Sequence, residues 1–295
     1  MTSVGQWLQA TDDLPRLDLE LLLNHLLGVT RAQLLTHPER QLSSTEQEQL
    51  NQLLAVRRAG EPIAYILGTQ EFWGLPFKVS PAVLIPRPET ELLVELAIAT
   101  APPRARVLEL GTGSGAIAVA LTHSRPDLHL TAVDCSDAAL QVAQTNAVAN
   151  GVQIELRQSN WFTAVEGKWD LIISNPPYIA DNDPHLPSLR YEPDLALLAG
   201  PQGMCALSHI IQNAPAYLAD HGGLLLEHGY DQAAVVAAQL NTSGWQDIHS
   251  HQDLAGIERV TAASRPPSAN RAEAQGQKKS TENKERKESK RQADG

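Results

Sequence analysis

The sequence predicts an α/β protein with a doubly wound, mostly parallel sheet and a small helical domain at the N-terminus. From residue 89 onward, short β-prone segments alternate with Ala-rich helical stretches, which is the pattern of a parallel sheet covered by helices. Residues 1 to about 60 instead carry leucines at helical spacing and show no strand-like alternation. With 295 residues, 42% of them hydrophobic, the chain is long enough for more than one domain.

The N-terminal segment predicts a helical domain over residues 1–75. Two leucine runs, at residues 19–27 and 50–54, recur at three- and four-residue intervals. Ser43 and Glu46 stand three residues apart ahead of the second run, which is the spacing of a capping box at a helix N-terminus.

Glycine and proline residues then divide the chain into short pieces, which predicts a hairpin-like connector over residues 76–90. Residues 71–79 and 82–85 are β-prone, and Gly74, Pro81 and Pro86 interrupt or flank them.

The next segment predicts an α/β domain over residues 91–263. Candidate strands lie at residues 107–110, 130–134, 154–158, 170–174 and 223–229, with candidate helices at residues 137–150 and 232–240. Ligands of such sheets bind at the carboxyl ends of the strands, near the point where the strand order reverses.

The last segment, residues 264–295, predicts a disordered basic tail because it is rich in Ser, Pro, Gln, Lys and Glu and has no aromatic residue. From Arg265 onward it holds nine Lys or Arg and five Asp or Glu, which gives this tail a formal charge of +4. Because the whole chain carries −11, the remaining body carries −15. Nucleic-acid binding draws much of its affinity from Lys and Arg. The acidic body therefore favours a protein substrate over a nucleic acid.

Cysteine content and hydropathy predict a cytoplasmic protein without a metal site, and a monomer is the default expectation. Cys135 and Cys205 are too few for a disulfide framework and belong to no zinc-binding cluster. The N-terminus has no signal-peptide pattern, and no apolar stretch is long enough to cross a bilayer, so no membrane association is expected.

A glycine-rich loop, Gly-Thr-Gly-Ser-Gly at residues 111–115, follows the first strand of the α/β domain. Such a loop lets the backbone approach a ligand closely, and the helix behind it offers free N–H groups, which predicts a nucleotide-like cofactor. The loop also satisfies the dinucleotide pattern, so by itself it leaves the cofactor open. Asp134 ends the next strand, where a carboxylate can bind ribose hydroxyls, although an N-cap or turn role is equally supported.

The tetrapeptide Asn175-Pro176-Pro177-Tyr178 follows the strand at residues 170–174. Its prolines fix the backbone and remove N–H donors, which leaves carbonyl acceptors at the strand end. If the side-chain oxygen of Asn175 and the main-chain oxygen of Pro176 each accept an N–H, a planar amide or amine nitrogen is held and becomes more nucleophilic. Tyr178 would stack on the planar group. An isolated triplet of this kind favours a rigid turn, but its place about sixty residues after the glycine loop favours methyl transfer.

These two motifs resemble those of the amino-methyltransferases, and the flanking segments resemble one branch of them. Residues 84–91, 160–162, 183–186, 225–228 and 258–260 are similar to segments of the release-factor glutamine N5-methyltransferases, the PrmC/HemK family. The resemblance covers about residues 6 to 262. It implies a class I, Rossmann-like fold that uses S-adenosylmethionine, and a helical domain that contacts the release factor.

The resemblance also implies a set of site residues. Those that would bind the cofactor are Glu109, Gly111, Thr112, Gly113, Ser114, Gly115, Asp134, Asn160, Trp161 and Asn175. Those that would bind the glutamine of the release factor's GGQ motif are Asn175, Pro176, Pro177 and Tyr178, with Asn175, Pro176 and Tyr178 catalytic. Asn160 departs from the family's usual Asp. Its oxygen can still accept from the adenine amino group, but the charge is lost.

Three alternatives stay open from the residues. The first is a nucleic-acid methyltransferase acting on adenine N6 or guanine N2, since an exocyclic amine offers nearly the same donor edge as a primary amide. The acidic body and the lack of a base-reading domain count against it. The second is a dinucleotide-dependent oxidoreductase, which does not explain the Asn-Pro-Pro-Tyr motif, and the third is a catalytically idle binding protein, which no defect in the motifs supports.

Overall fold

Five short helices form the N-terminal part of the chain in the computed structural model, which describes residues 2–10 and 13–265. The helices are α1 (Val4–Ala10), α2 (Arg16–Leu27), α3 (Arg31–Thr36), α4 (Ser44–Arg58) and α5 (Ile63–Leu67). All but the first two residues of the predicted tail lie outside the described residues.

The start of α4 confirms the predicted capping box. Glu46 N donates to Ser43 Oγ over 3.2 Å, and Ser43 N donates to Glu46 Oε2 over 2.7 Å. Two backbone donors that the helix itself cannot satisfy are thereby paired. The helix then packs Leu50 and Leu54 against α2, and both side chains are fully buried.

An antiparallel hairpin of β1 (Thr69–Phe72) and β2 (Leu75–Lys78) follows. Its two turn residues, Trp73 and Gly74, both have positive φ, as tight two-residue hairpin turns require. The predicted boundary between the helical domain (residues 1–75) and the connector (residues 76–90) falls inside this hairpin, within β2.

The expectation of a β-prone piece at residues 82–85 is wrong, because this segment forms no strand. Pro81 and Pro86 flank it and lack the N–H groups that a strand needs for pairing. The segment runs instead along the edge of the α/β domain.

Seven strands form the predicted sheet, in the order β5-β4-β3-β6-β7-β9-β8. They are β3 (Arg106–Leu110), β4 (His129–Asp134), β5 (Glu155–Gln158), β6 (Trp169–Ser174), β7 (Leu218–Glu227), β8 (Gln246–Gln252) and β9 (Glu258–Ser264). Neighbours from β5 to β7 are parallel, while β9 is antiparallel to β7 and β8. The predicted fold class is confirmed, and the strand order reverses between β3 and β6.

Helices cover both faces of the sheet. They are α6 (Glu91–Thr100), α7 (Ala116–Ser124), α8 (Asp137–Ala149), the short α9 (Asp194–Leu197), α10 (Cys205–Asn213) and α11 (Ala233–Thr242). Alternate residues of β3 face opposite sides, so Val107 packs with α6 and α7, and Leu108 packs with α10 and α11. Within the described ranges, no helix has the length and apolar character needed to span a membrane.

One buried amide, Asn146 of α8, connects the hairpin to the glycine-rich loop. Its Oδ1 accepts from Lys78 N over 2.7 Å. Its Nδ2 donates to the carbonyl oxygens of Lys78, over 3.0 Å, and of Ser114, over 2.8 Å. Because the side chain is fully buried, water cannot replace these bonds, and Asn146 fixes the loop relative to the connector.

We predict that Asn146→Ala lowers the free energy of unfolding by about 2–3 kcal/mol, because it leaves backbone groups of Lys78 and Ser114 without partners. Urea denaturation measures this loss. Asn150→Ala is the matched control, since Asn150 caps the C-terminus of α8 one turn later and its Nδ2 bonds to Pro76 O at an exposed site. It should cost less than about 1 kcal/mol. Equal losses for the two variants would contradict the connecting role of Asn146.

Candidate active site

A cavity of about 210 Å³ lies where the carboxyl ends of β3, β4 and β6 meet, at the reversal of strand order. The predicted site residues that line it are Gly111, Thr112, Gly113, Ser114, Asp134, Asn160, Trp161, Asn175 and Pro177. Four predicted residues, Glu109, Gly115, Pro176 and Tyr178, are not part of the lining.

The glycine-rich loop is attached to the end of β4. The N–H groups of Gly111 and Thr112 both donate to Val133 O, over 2.8 and 3.0 Å, which extends the pairing of β3 with β4 beyond the strand. Gly113 N then donates to Asp134 Oδ2 over 2.9 Å. The loop therefore has a defined shape before any ligand is considered.

Asp134 ends β4, bonds to the turn that follows and faces the cavity. Its Oδ1 accepts from Ser136 N over 2.9 Å, and Ser136, not Asp134, is the N-cap of α8. Each carboxylate oxygen thus accepts one backbone N–H and keeps further acceptor capacity. Asp134 can hold the loop and still accept hydrogen bonds from ribose hydroxyls in the cavity.

Gly113 and Gly115 both have positive φ, but their surroundings differ. Gly115, at φ +78°, begins α7 and is buried against α8, where an added Cβ would lie 3.0 Å from Ala143 Cβ. Gly113, at φ +53°, lines the cavity, and an added Cβ there would meet nothing within 4 Å. Gly115 therefore serves helix packing, and Gly113 shapes the cavity wall.

Glu109 lies beneath the loop and is fully buried. Its Oε2 accepts from Thr112 Oγ1 over 2.8 Å, while its Oε1 has no hydrogen-bond partner among the described residues. Burial raises the pKa of Glu109 to about 8, and the bond from Thr112 opposes that rise. The structure places Glu109 in contact with the loop, outside the lining of the cavity.

Trp161 closes one side of the cavity from the turn after β5. Its indole lies against Gly111, 3.8 Å from the position of an added Cβ. Its backbone has φ +53°, a conformation that costs a non-glycine residue free energy, and Ser159 Oγ holds the turn by donating to Trp161 O over 2.7 Å. The neighbouring Asn160 is exposed at the rim.

Asn175 extends from the end of β6 to the cavity. Its Nδ2 donates to Thr90 Oγ1 over 3.2 Å. Pro177 lines the cavity, whereas Pro176 is buried. Tyr178 packs with the cluster beneath α10 and α11, and its carbonyl accepts from Gln232 Nε2 over 3.0 Å.

The remaining walls come from residues that the motifs did not indicate. Most belong to two walls, the connector and the loop around α9: Ala82, Val83, Leu84, Pro86, Thr90, Pro193, Leu195 and Ala196. The others are Ala116 and Ile117 of α7, Cys135, Ser136 and Ala139 at the start of α8, and Ser159 after β5. The connector side also includes Arg87, which lies beside the predicted site. Apart from the family resemblance of residues 84–91, only its proline-rich composition distinguished the connector in the sequence, and that composition indicates a turn rather than a site.

A strap, residues 181–198, fixes these two walls together. Glu192 is buried, and its carboxylate accepts from Arg87 and, over 3.0 Å, from Ile85 N. Two neighbouring strap residues, Arg190 and Tyr191, both donate to the carbonyl oxygen of Ala59 just after α4. The strap therefore contacts both the cavity wall and the helical domain.

Comparisons with known proteins agree with this architecture. The PrmC N-terminal domain family matches residues 5–68, and the methyltransferase small domain family matches residues 88–187. The chain is 48% identical to the release factor glutamine methyltransferase of Salmonella typhimurium, over 84% of this chain and 92% of that protein. It is 44% identical to the protein of the same name from Coxiella burnetii, over 89% and 96% of the two chains.

A solved structure shares the fold. It is a T. thermophilus 16S rRNA methyltransferase in complex with AdoMet and guanosine, with a TM-score of 0.51 and 19% identity over 67% of this chain and 49% of that chain.

We predict that Gly115→Ala destabilises the protein more than Gly113→Ala. Both variants place a Cβ at positive φ, which costs about 1–2 kcal/mol, but only Gly115→Ala also forces a contact with α8. The difference in the free energy of unfolding should be about 1–3 kcal/mol, measured by urea denaturation of the two variants side by side. A larger loss for Gly113→Ala would show that the packing of α7 against α8 is not the role of Gly115.

Proposed function

The chain belongs to the release factor glutamine methyltransferases, and we propose that it methylates the side-chain nitrogen N5 of the glutamine in a release factor's GGQ motif, with S-adenosylmethionine as the donor. Family membership supports the reaction and the protein substrate. The observation that carries the detailed proposal is the register of β3 and β6. Leu110 pairs with Ser174, so the glycine-rich loop and Asn175 leave adjacent strands at the same level.

The residues present fit S-adenosylmethionine, the methyl donor whose sulfonium makes the transferred methyl group electrophilic. Asp134 would accept hydrogen bonds from the ribose hydroxyls, and Asn160 could accept one from the adenine amino group. Trp161 and the apolar connector wall suit a flat adenine ring. The solved rRNA methyltransferase with AdoMet, which shares this fold, supports the same choice of donor.

Asn175 and Pro176 would activate the substrate nitrogen. A primary amide is a poor nucleophile, because its lone pair is delocalised into the carbonyl group. Two acceptors, Asn175 Oδ1 and Pro176 O, can hold its two N–H bonds and orient the lone pair toward the methyl group. The new N–C bond would form as the S–C bond breaks and S-adenosylhomocysteine leaves. The methylated nitrogen would then be positively charged and strongly acidic, so it could give one proton to solvent water without a strong base.

Pro177 and Tyr178 complete the proposed glutamine site. Pro177 lines the cavity beside Asn175 and would limit the approach of the amide to one direction. Tyr178 is partly buried outside the lining of the cavity and would cover the planar face of the amide in the complex.

The helical domain would bind the body of the release factor. The match of residues 5–68 to the PrmC N-terminal domain supports a separate binding role for this domain. The ends of β3 and β6 that form the site belong to one chain, which supports action as a monomer. A release factor as the substrate supports a cytoplasmic location.

We predict that tritium from labelled S-adenosylmethionine appears on a purified release factor in the presence of this protein. A release factor with GGQ changed to GGA is the matched control and should stay unlabelled, as should bulk RNA and DNA. Scintillation counting after protein precipitation and after nucleic-acid extraction separates the products. Label on nucleic acid but not on the release factor would overturn the proposal.

We predict that Asn175→Ala reduces kcat by about 100-fold or more, because the substrate amide loses one of its two acceptors. The Kd for S-adenosylmethionine, measured by calorimetry, should stay within about 3-fold of the wild-type value, since Asn175 contributes only one part of the wall. A variant that binds the cofactor poorly but turns over at the wild-type rate when saturated would contradict the role given to Asn175.

A further inference from the structure

The activity proposed for Asn175 depends on which end of its carboxamide faces the substrate. Only the oxygen can accept an N–H, whereas the Nδ2 end would repel the donor edge of an amide. A planar carboxamide can rotate by half a turn with little change in shape. Something in the structure must therefore select one orientation.

Thr90 contacts the Nδ2 end of that carboxamide. Asn175 Nδ2 donates to Thr90 Oγ1 over 3.2 Å, although the two residues are 85 positions apart in the chain. Thr90 ends a 3-10 turn (Pro88–Thr90) that leads directly into α6, and its side chain forms no capping bond. Its hydroxyl bonds outside the helix instead.

Glu227, at the end of β7, is the acceptor for Thr90. Thr90 Oγ1 donates to Glu227 Oε1 over 3.1 Å. The register of β6 with β7 pairs Ser174 with Leu226, which places Glu227 next to Asn175 at the same edge of the sheet. Asn175 and Glu227 therefore bond to the same hydroxyl, that of Thr90, from two adjacent strand ends.

The direction of this chain of bonds follows from the single hydroxyl hydrogen of Thr90. Because that hydrogen goes to Glu227, Thr90 Oγ1 can only accept from Asn175, and Nδ2 must point toward it. Burial raises the pKa of Glu227 to about 8, with Arg259 and Glu89 as its other charged neighbours. Oε1 accepts from Thr90 Oγ1, whereas Oε2 has no hydrogen-bond partner among the described residues.

Burial of Glu227 is expensive for the fold. The residue is 2% exposed, and the structure shows no ion pair for its carboxylate among the described residues. An apolar side chain of similar size would avoid the cost of removing a carboxyl group from water. The fold alone gives no reason for a glutamate at this position.

We propose that Thr90 and Glu227 are positioning residues that orient the Asn175 carboxamide with Oδ1 toward the substrate nitrogen. Neither residue needs to touch the reacting atoms. The proposal rests on the proposed methyl transfer at Asn175 and adds the pair of residues that makes this amide an acceptor.

Thr90→Val and Thr90→Ser test the proposal as a matched pair, because valine keeps the shape of threonine and serine keeps its hydroxyl. Thr90→Val should lower kcat by about 10- to 100-fold, the effect of one buried hydrogen bond. The KM for the release factor and the Kd for S-adenosylmethionine should change by less than about 3-fold. Thr90→Ser should keep kcat within about 3-fold of the wild type, since the serine hydroxyl can still accept from Asn175 Nδ2 and donate to Glu227 Oε1.

A double-mutant cycle shows whether Thr90 acts through Asn175. In the Asn175→Ala background, Thr90→Val should change the single-turnover rate with labelled S-adenosylmethionine by less than about 2-fold. The same loss in both backgrounds would overturn the proposal. So would a wild-type kcat for Thr90→Val.

Glu227→Leu provides the second variant and separates positioning from stability. It should lower kcat at least about 10-fold while the Tm stays at or above the wild-type value, because leucine needs no partner in the interior. A kcat loss that follows a lowered Tm would assign Glu227 a structural role and overturn the proposal. If the wild-type protein does not label the release factor, the proposed function fails. If it does and the variants keep their kcat, only the positioning role fails.

Discussion

The hydrogen bond from Ser174 Oγ to Leu110 O, 2.7 Å long and fully buried, lies where β3 and β6 end together. It continues the pairing of these strands past the last backbone bond, at the reversal of strand order. Parallel neighbours that end at one level must deliver their next residues to a common space. The glycine-rich loop and the Asn-Pro-Pro-Tyr motif meet for this reason, although about sixty residues separate them in the chain.

The site is then completed by groups that fix the backbone around the cavity. Asn146 ties the loop to the hairpin, Asp134 accepts from Gly113, and Glu192 holds the connector. Each is a polar group at the junction of two or three elements, where an unpaired backbone donor or acceptor would be costly. The cavity therefore has a defined shape because its walls share hydrogen bonds with the core elements behind them.

Local patterns in the sequence predicted the elements and motifs that depend on neighbours in the chain. The capping box at Ser43, the five parallel strands and the glycine-rich loop all belong to this group. Thr90 and Glu227 gave no such signal, because Thr90 finds its partners 85 and 137 positions away. The β8–β9 hairpin at the sheet edge was likewise absent from the prediction, since its polar strands lack the apolar runs of a buried parallel strand.

The hydrogen bonds from Arg190 and Tyr191 to Ala59 O link the strap to the helical domain. Arg190 and Tyr191 hydrogen-bond to the helical domain, and Glu192, the next residue, accepts hydrogen bonds from the connector wall of the cavity. Three consecutive residues therefore join the helical domain to the connector wall, and a change in the position of one relative to the other would break at least one of these bonds.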